Sequence, residues 1–335
     1  MVNRLVQQFG LWCVLLCVSL PSLGKDTYHW SIGPSLPAPV QEIYPTVHND
    51  AIYVVGGLQD QNSEFRVSNA VYRLKKGATT WETLPPFPVA AHHVMLVSTG
   101  AQLWAFGGFT ASAQGSWANS AQVYLFDEVS QTWHAHSSMP VKLSETIAAV
   151  IMGDVHLAGG RTTKSDNFSW RHHLDSDWHG VFDTTAGIWQ TAAPLPSARN
   201  SACSVVIAGK WHVIGGRTVE QGNTGAHDIF DPVEDEWIEA KPLPVAAGGI
   251  GCARYGDSIY VFGGEYFAKS GSGVFSKVWR YEIKRKRWRD VSVMPIPRHG
   301  LGVVTFDGAM WLIGGAGEAG ANDTRNTVSK LVLNP

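Results

Sequence analysis

An all-β fold built from six repeats of about fifty residues is what this 335-residue chain predicts, and three spacings predict it. Gly-Gly pairs begin at Gly56, Gly107, Gly159, Gly215, Gly263 and Gly314, each closing a short apolar run such as "IYVVGG" or "WHVIGG". A tryptophan stands 26 residues before every pair, at Trp30, Trp81, Trp133, Trp189, Trp237 and Trp288. Seven residues after each tryptophan comes a proline, from Pro37 to Pro295, preceded by Leu, Phe or Met.

Within a unit the elements follow in order. The apolar run ending in Gly-Gly is too short for a helix and reads as a buried strand. After a variable stretch comes an aromatic strand, such as "VYRL", "VYLF" or "IFDP". The tryptophan sits on the outermost strand, and the proline turns the chain towards the next unit. No amphipathic helix interrupts the series. A four-stranded unit of this length cannot bury both faces alone, whereas units stacked radially cover one another, which makes each a propeller blade. The last Gly-Gly has no tryptophan after it. Trp30 supplies the missing outer strand, so six blades are expected to close by joining the two ends of the chain.

The strand-ending Gly-Gly, the following aromatic strand and the spaced Trp resemble the Kelch-repeat family across residues 28–335, with Phe182 replacing the usual Tyr in the third unit. The consensus residues are scaffold: Gly-Gly gives backbone freedom, and the aromatics fill space between blades. "GAGEAG" at 315–320 matches the dinucleotide pattern G-x-G-x-x-G, but no helix follows and its first Gly belongs to the repeat, so phosphate binding is not expected.

Composition limits the partners. Formal charge is −2, which gives no electrostatic case for nucleic acid, and the single basic run "KRKRWR" at 284–289 reads as a solvated hairpin. Arg4, the apolar segment 11–20 and Ser22-Leu23-Gly24 read as a cleavable signal over residues 1–24, leaving a domain of 25–335. That segment is too short to span a bilayer, so a periplasmic or secreted protein without membrane insertion is expected, as a monomer. Cys203 and Cys252 remain after cleavage, as a bridge or as two buried thiols.

Function is sought where repeat symmetry breaks. Residues ten to twelve after each Trp connect one blade's outer strand to the next blade's inner strand, on one face around the channel mouth. There, and just after Gly-Gly, the sequence collects Glu42, His92, His93, Glu145, Arg161, Arg199, Asn200, Arg217, Glu265, Arg298 and His299. A plain turn would use Ser, Asn, Gly or Asp. The competing reading is a solvated rim of weak ion pairs. Arginines suit a planar anion and glutamates accept from hydroxyls, so a carbohydrate or sugar acid is the expected ligand, bound by Glu42, His92, Arg161, Arg199, Asn200, Arg217 and Arg298.

Exported bacterial Kelch proteins include a sialic-acid mutarotase. That resemblance implies acid–base isomerisation, for which Glu145 or Glu265 would work with His299 or His93. Galactose oxidase is also Kelch-built, but no Tyr occupies the rim columns here, so a copper oxidase is not expected, and neither is a cofactor or bound metal. A protein-interaction module is the alternative function. The stretch 161–188, rich in Trp, His and Asp, is either a lid over the mouth or a decorated surface loop, and Asn167 and Asn322 begin glycosylation acceptor triplets.

Overall fold

A computed structural model describes residues 27–61, 64–112, 115–164 and 169–334. The predicted leader, 1–24, and Asn167 lie outside the described residues. Those residues form six four-stranded antiparallel blades, with two single-turn 3-10 segments, Trp170–His172 and Ile283–Arg285, as the helical elements among them. The first blade runs outward through Thr46–His48, Ala51–Val55, Val71–Lys75 and Glu82–Leu84. In the sixth, Thr27–Ile32 pairs antiparallel with Val328–Asn334, placing Trp30 opposite Leu331, so the ends of the chain complete one blade as the missing tryptophan predicts.

Hydrogen bonds between blades follow the sequence columns. The N–H of the second glycine in each pair donates to the carbonyl of the tenth residue after the next tryptophan: Gly57 to Ala91, Gly108 to Leu143, Gly160 to Arg199, Gly216 to Ala247 and Gly264 to Arg298. Gly315 donates to Val40 at 2.9 Å and joins the sixth blade to the first. The glycines are required sterically. Gly56 has φ +63°, and a Cβ there would lie 2.1 Å from the Ala91 carbonyl oxygen. At the outer edge, the indole N–H of Trp81, Trp237 and Trp288 donates to Pro34, Ala193 and Lys241 of the preceding blade, each at 2.8 Å.

The apolar core is divided into six wedges, one between each pair of neighbouring blades. Ile52, Val54 and Tyr72 of the first blade, for example, pack against Phe306, Trp311 and Val328 of the sixth. Radial stacking thus buries faces that no blade could bury alone. Cys203 and Cys252 form a disulfide between the innermost strands of the fourth and fifth blades, Cα atoms 5.7 Å apart. Beneath one mouth of the ring lies a central cavity of about 260 Å³, lined by Tyr44, Met95, Ala149, Cys203, Cys252 and Leu301 among others.

Candidate functional site at the channel mouth

The twelfth residue after each tryptophan has left-handed backbone in all six blades: Glu42 (φ 57°), His93 (54°), Glu145 (52°), Ser201 (50°), Gly249 (65°) and Gly300 (56°). Their amides circle the mouth. Glu42 N–H donates to Gly300, His93 to Glu42, Ser201 to Glu145, Gly249 to Ser201 and Gly300 to Gly249, at 2.7–3.2 Å. Glycine adopts this backbone without strain, and two blades use it. The other four place Glu, His, Glu and Ser there, at about 1–3 kcal/mol each. The backbone does not ask for those side chains.

They converge on one buried cluster. His93 Nε2 lies 2.7 Å from Glu42 Oε2, and His299 Nδ1 lies 3.8 Å from Glu42 Oε1 and 3.6 Å from Glu265 Oε2. Arg161 and Arg217 approach Glu145 at 3.6 and 3.7 Å, and Ser201 Oγ donates to it closely. Arg217 pairs tightly with Glu265, whose other oxygen accepts the Gly320 N–H at 2.7 Å. That amide, in the glycine-rich segment resembling a phosphate loop, is therefore turned to a carboxylate of the cluster.

Burial alone would raise the Glu42 carboxyl, but His93, then His299 and Arg217, hold it far below the usual carboxylate range. Glu145 is likewise held at about 2, its burial outweighed by Arg161, His93 and Arg217. Burial is outweighed at Arg217 too, where Glu145, Glu265 and Glu42 keep the guanidinium more firmly charged than usual. Tyr44, at the cavity wall below, is pushed well above a normal phenol by burial and by Glu145 and Glu42.

The pairings are loose where it matters. Both ring nitrogens of His299 and the Arg161 Nε are buried without a hydrogen-bond partner. The opening lies at Arg217, whose side chain is 21% exposed, against 1% for Glu145 and 3% for Glu265. Among the described residues no group of three or more His, Cys, Asp and Glu could hold a metal ion.

Seven of the eleven candidates meet here: Glu42, His93, Glu145, Arg161, Arg217, Glu265 and His299. Asn200 is adjacent, accepting from Arg217 Nε at 3.3 Å and donating to Asp175 at 2.6 Å. His92 is packed beside the cluster, against Phe109, Trp117 and His93. Arg199 and Arg298 are elsewhere. Their column points into the blades, as the buried Val40, Ala91, Leu143 and Ala247 show, and Arg199 pairs with Asp228 at 2.7 Å. The two arginines thus belong to blade interiors, and the mouth holds fewer cations than the sequence suggests. The cluster is buried, where a solvated rim was the competing expectation.

The stretch expected as a lid or a surface loop is in part a hairpin. Arg161–Thr163 pairs with His173–Asp175, His173 stacks on Phe109 at 5.2 Å, and Asp175 holds Asn200 and the Val219 amide. Tyr44, Asp175 and Ser201 were not among the candidates. Ser201 shares their twelfth column, and that alone could have found it.

The KLHDC2/KLHL20/DRC7 Kelch-repeats domain model matches residues 43–243 and 171–331. The chain is 26% identical to the Kelch-like protein terF of Aspergillus terreus over 305 residues, covering 88% of this chain and 66% of that one. It is 24% identical to human Kelch-like protein 23 over 273 residues, 81% of this chain and 45% of that one. The chain thus spans less than two thirds of these curated relatives. The solved structure of YjhT superposes with a TM-score of 0.76 at 17% identity, over 91% of this chain and all of that one, and shares its fold. Six Gly-Gly stitches, a blade closed by both chain ends and the domain match together establish that the chain belongs to the Kelch-repeat family.

Proposed function

We propose that the channel mouth binds a small hydroxylated ligand, a carbohydrate or sugar acid, in an exported protein. One observation carries the reading: four of six equivalent left-handed positions hold Glu, His, Glu and Ser, and these side chains converge. Left-handed positions that two blades fill with glycine and four fill with convergent polar side chains are the kind of backbone that clusters at functional sites. Arg161 and Arg217 supply donors for a ligand carboxylate, and the glutamates supply acceptors for hydroxyls. The apolar N-terminal segment and the Cys203–Cys252 bridge support export.

The same groups suit mutarotation. The Glu265 carboxylate takes the proton of the anomeric hydroxyl, and His299, 3.6 Å away, donates one to the ring oxygen. The C1–O5 bond breaks as the carbonyl forms. After rotation, the reverse transfers close the ring on the other face and restore both groups.

A second reading is a protein-interaction module, the general use of Kelch domains. Exposed Phe65, Trp170, Leu174 and Phe267 on hairpins following Gly-Gly favour it. Thermal unfolding with a panel of neutral hexoses, N-acetylhexosamines, uronic acids and sialic acids separates the two. The sugar reading requires a saturable rise in Tm with one class, lost in Arg217→Met. A flat response across the panel, with partner binding that depends on Trp170 and Phe267, would establish the interaction reading instead.

A further inference from the structure

Repeat symmetry allows two buried arginines to be compared atom for atom. Arg199 and Arg298 occupy the same column, ten residues after Trp189 and Trp288, and each is at most 1% exposed. Arg199 is fully provided for: Nε donates to Gly215 O at 3.0 Å, Nη1 to Ser197 O and Oγ, and Nη2 lies 2.7 Å from Asp228. The residue equivalent to Asp228 in the sixth blade is Ser329, since Asp228 lies opposite Val213 and Ser329 opposite Leu312. Arg298 reaches that hydroxyl only at 3.4–3.5 Å and Leu312 O at 3.2 Å. Its Nε has no partner. Among the described residues no carboxylate comes within ion-pair reach of it, and the one charge acting on it, Arg325, has the same sign. An arginine stays protonated, and a buried charge left uncompensated is among the costliest features a fold can keep.

We infer that Arg298 and Ser329 form a buried site for a small monovalent anion of the halide class, which takes the place Asp228 fills in the fourth blade. The Nη groups stand 3.4–3.5 Å from the Ser329 hydroxyl, a side chain shorter than the Asp228 it replaces, Nε has no acceptor, and Arg325 adds positive potential. A single negative charge balances the one buried guanidinium, whereas a multiply charged anion would leave an uncompensated charge of its own.

The test uses the full protein and chloride. Tm is followed as sodium chloride replaces sodium gluconate at constant ionic strength. The wild type is expected to gain about 2 °C or more, saturably. Ser329→Asp, which copies the Arg199–Asp228 pair, is expected to melt independently of chloride, at or above the chloride-saturated wild-type temperature. Equal wild-type melting in both salts overturns the proposal. So does a chloride dependence that survives Ser329→Asp, because it would then arise elsewhere, for instance at Arg161 and Arg217. Should Ser329→Asp fail to fold, crystals in bromide decide: anomalous density beside Arg298 supports the site, and its absence there overturns it.

Discussion

Lowering the pH from 7.5 to 5.0 is expected to weaken the fold through two pairs of histidines that the candidate site does not use. His156 Nδ1 lies 2.9 Å from His179 Nε2, and His212 Nδ1 lies 2.9 Å from His227 Nε2, at equivalent positions of the third and fourth blades. His179 and His227 donate their Nδ1–H to the carbonyls of Ala193 and Lys241, so their Nε2 atoms accept from the Nδ1–H of His156 and His212, and both pairs are built from neutral rings. Burial, with the partner ring, lowers His156 to about 4, and burial, then the opposing pull of Lys241 and the charge of Arg199, leaves His227 at about 4.

The unfolded chain binds these protons near pH 6.5 and the folded one resists them until about 4, so stability is complete above 6.5 and falls as pH drops through that window. At pH 5 linkage gives about 2 kcal/mol for each histidine, so about 4 kcal/mol for the His212–His227 pair, whose rings are held at about 3 and about 4. Urea unfolding of the wild type and of His212→Phe/His227→Phe at both pH values isolates one pair from the other histidines. The Lys241 carbonyl keeps its bond from Trp288 in the variant, so no acceptor is orphaned. The variant should lose about 4 kcal/mol less than the wild type between pH 7.5 and 5.0. Equal losses in both proteins would refute the reasoning.

Other outcomes follow from single features. Reduction of the Cys203–Cys252 bridge, which closes a separation of 49 residues between neighbouring blades, should cost about 2–4 kcal/mol, read as a lower Tm in dithiothreitol. Gly56→Ala meets the Ala91 carbonyl and an unfavourable φ together, and should cost about 3 kcal/mol or more in urea unfolding. Glu145→Gln leaves Arg161 and Arg217 short of their carboxylate and should remove both ligand response and about 3 kcal/mol of stability, measured by the same unfolding curves.

The scaffold was legible because it repeats: one spacing of 26 residues locates every stitch, and the lone unmatched Trp30 announces how the ring closes. The candidate site was legible only in part, for a geometric reason. Position along a connection says that a residue is near the mouth but not where its side chain points. The tenth column fixes its carbonyl on the glycine that ends the preceding blade's second strand and sends its side chain into the blade, so Arg199 and Arg298, expected at the mouth, lie in blade interiors. The twelfth column turns left-handed and sends its side chain to the centre, which Gly249 and Gly300 hint at in the sequence. Tyr44 and Asp175 stand outside any repeated column and had no signal. In the Arg298-His299 pair, the neighbours separate: one lies in a blade interior, the other between two carboxylates.

His299 offers the most direct test that the mouth is a site and not a structural plug. Its ring is buried with neither nitrogen hydrogen-bonded, and Nδ1 stands 3.6 Å from Glu265 and 3.8 Å from Glu42. In His299→Leu, calorimetric titration with the sugar that raises the wild-type Tm, together with urea unfolding, gives the answer. A site predicts that binding is lost while stability is unchanged or raised. A stability loss above about 2 kcal/mol with sugar binding intact would contradict it.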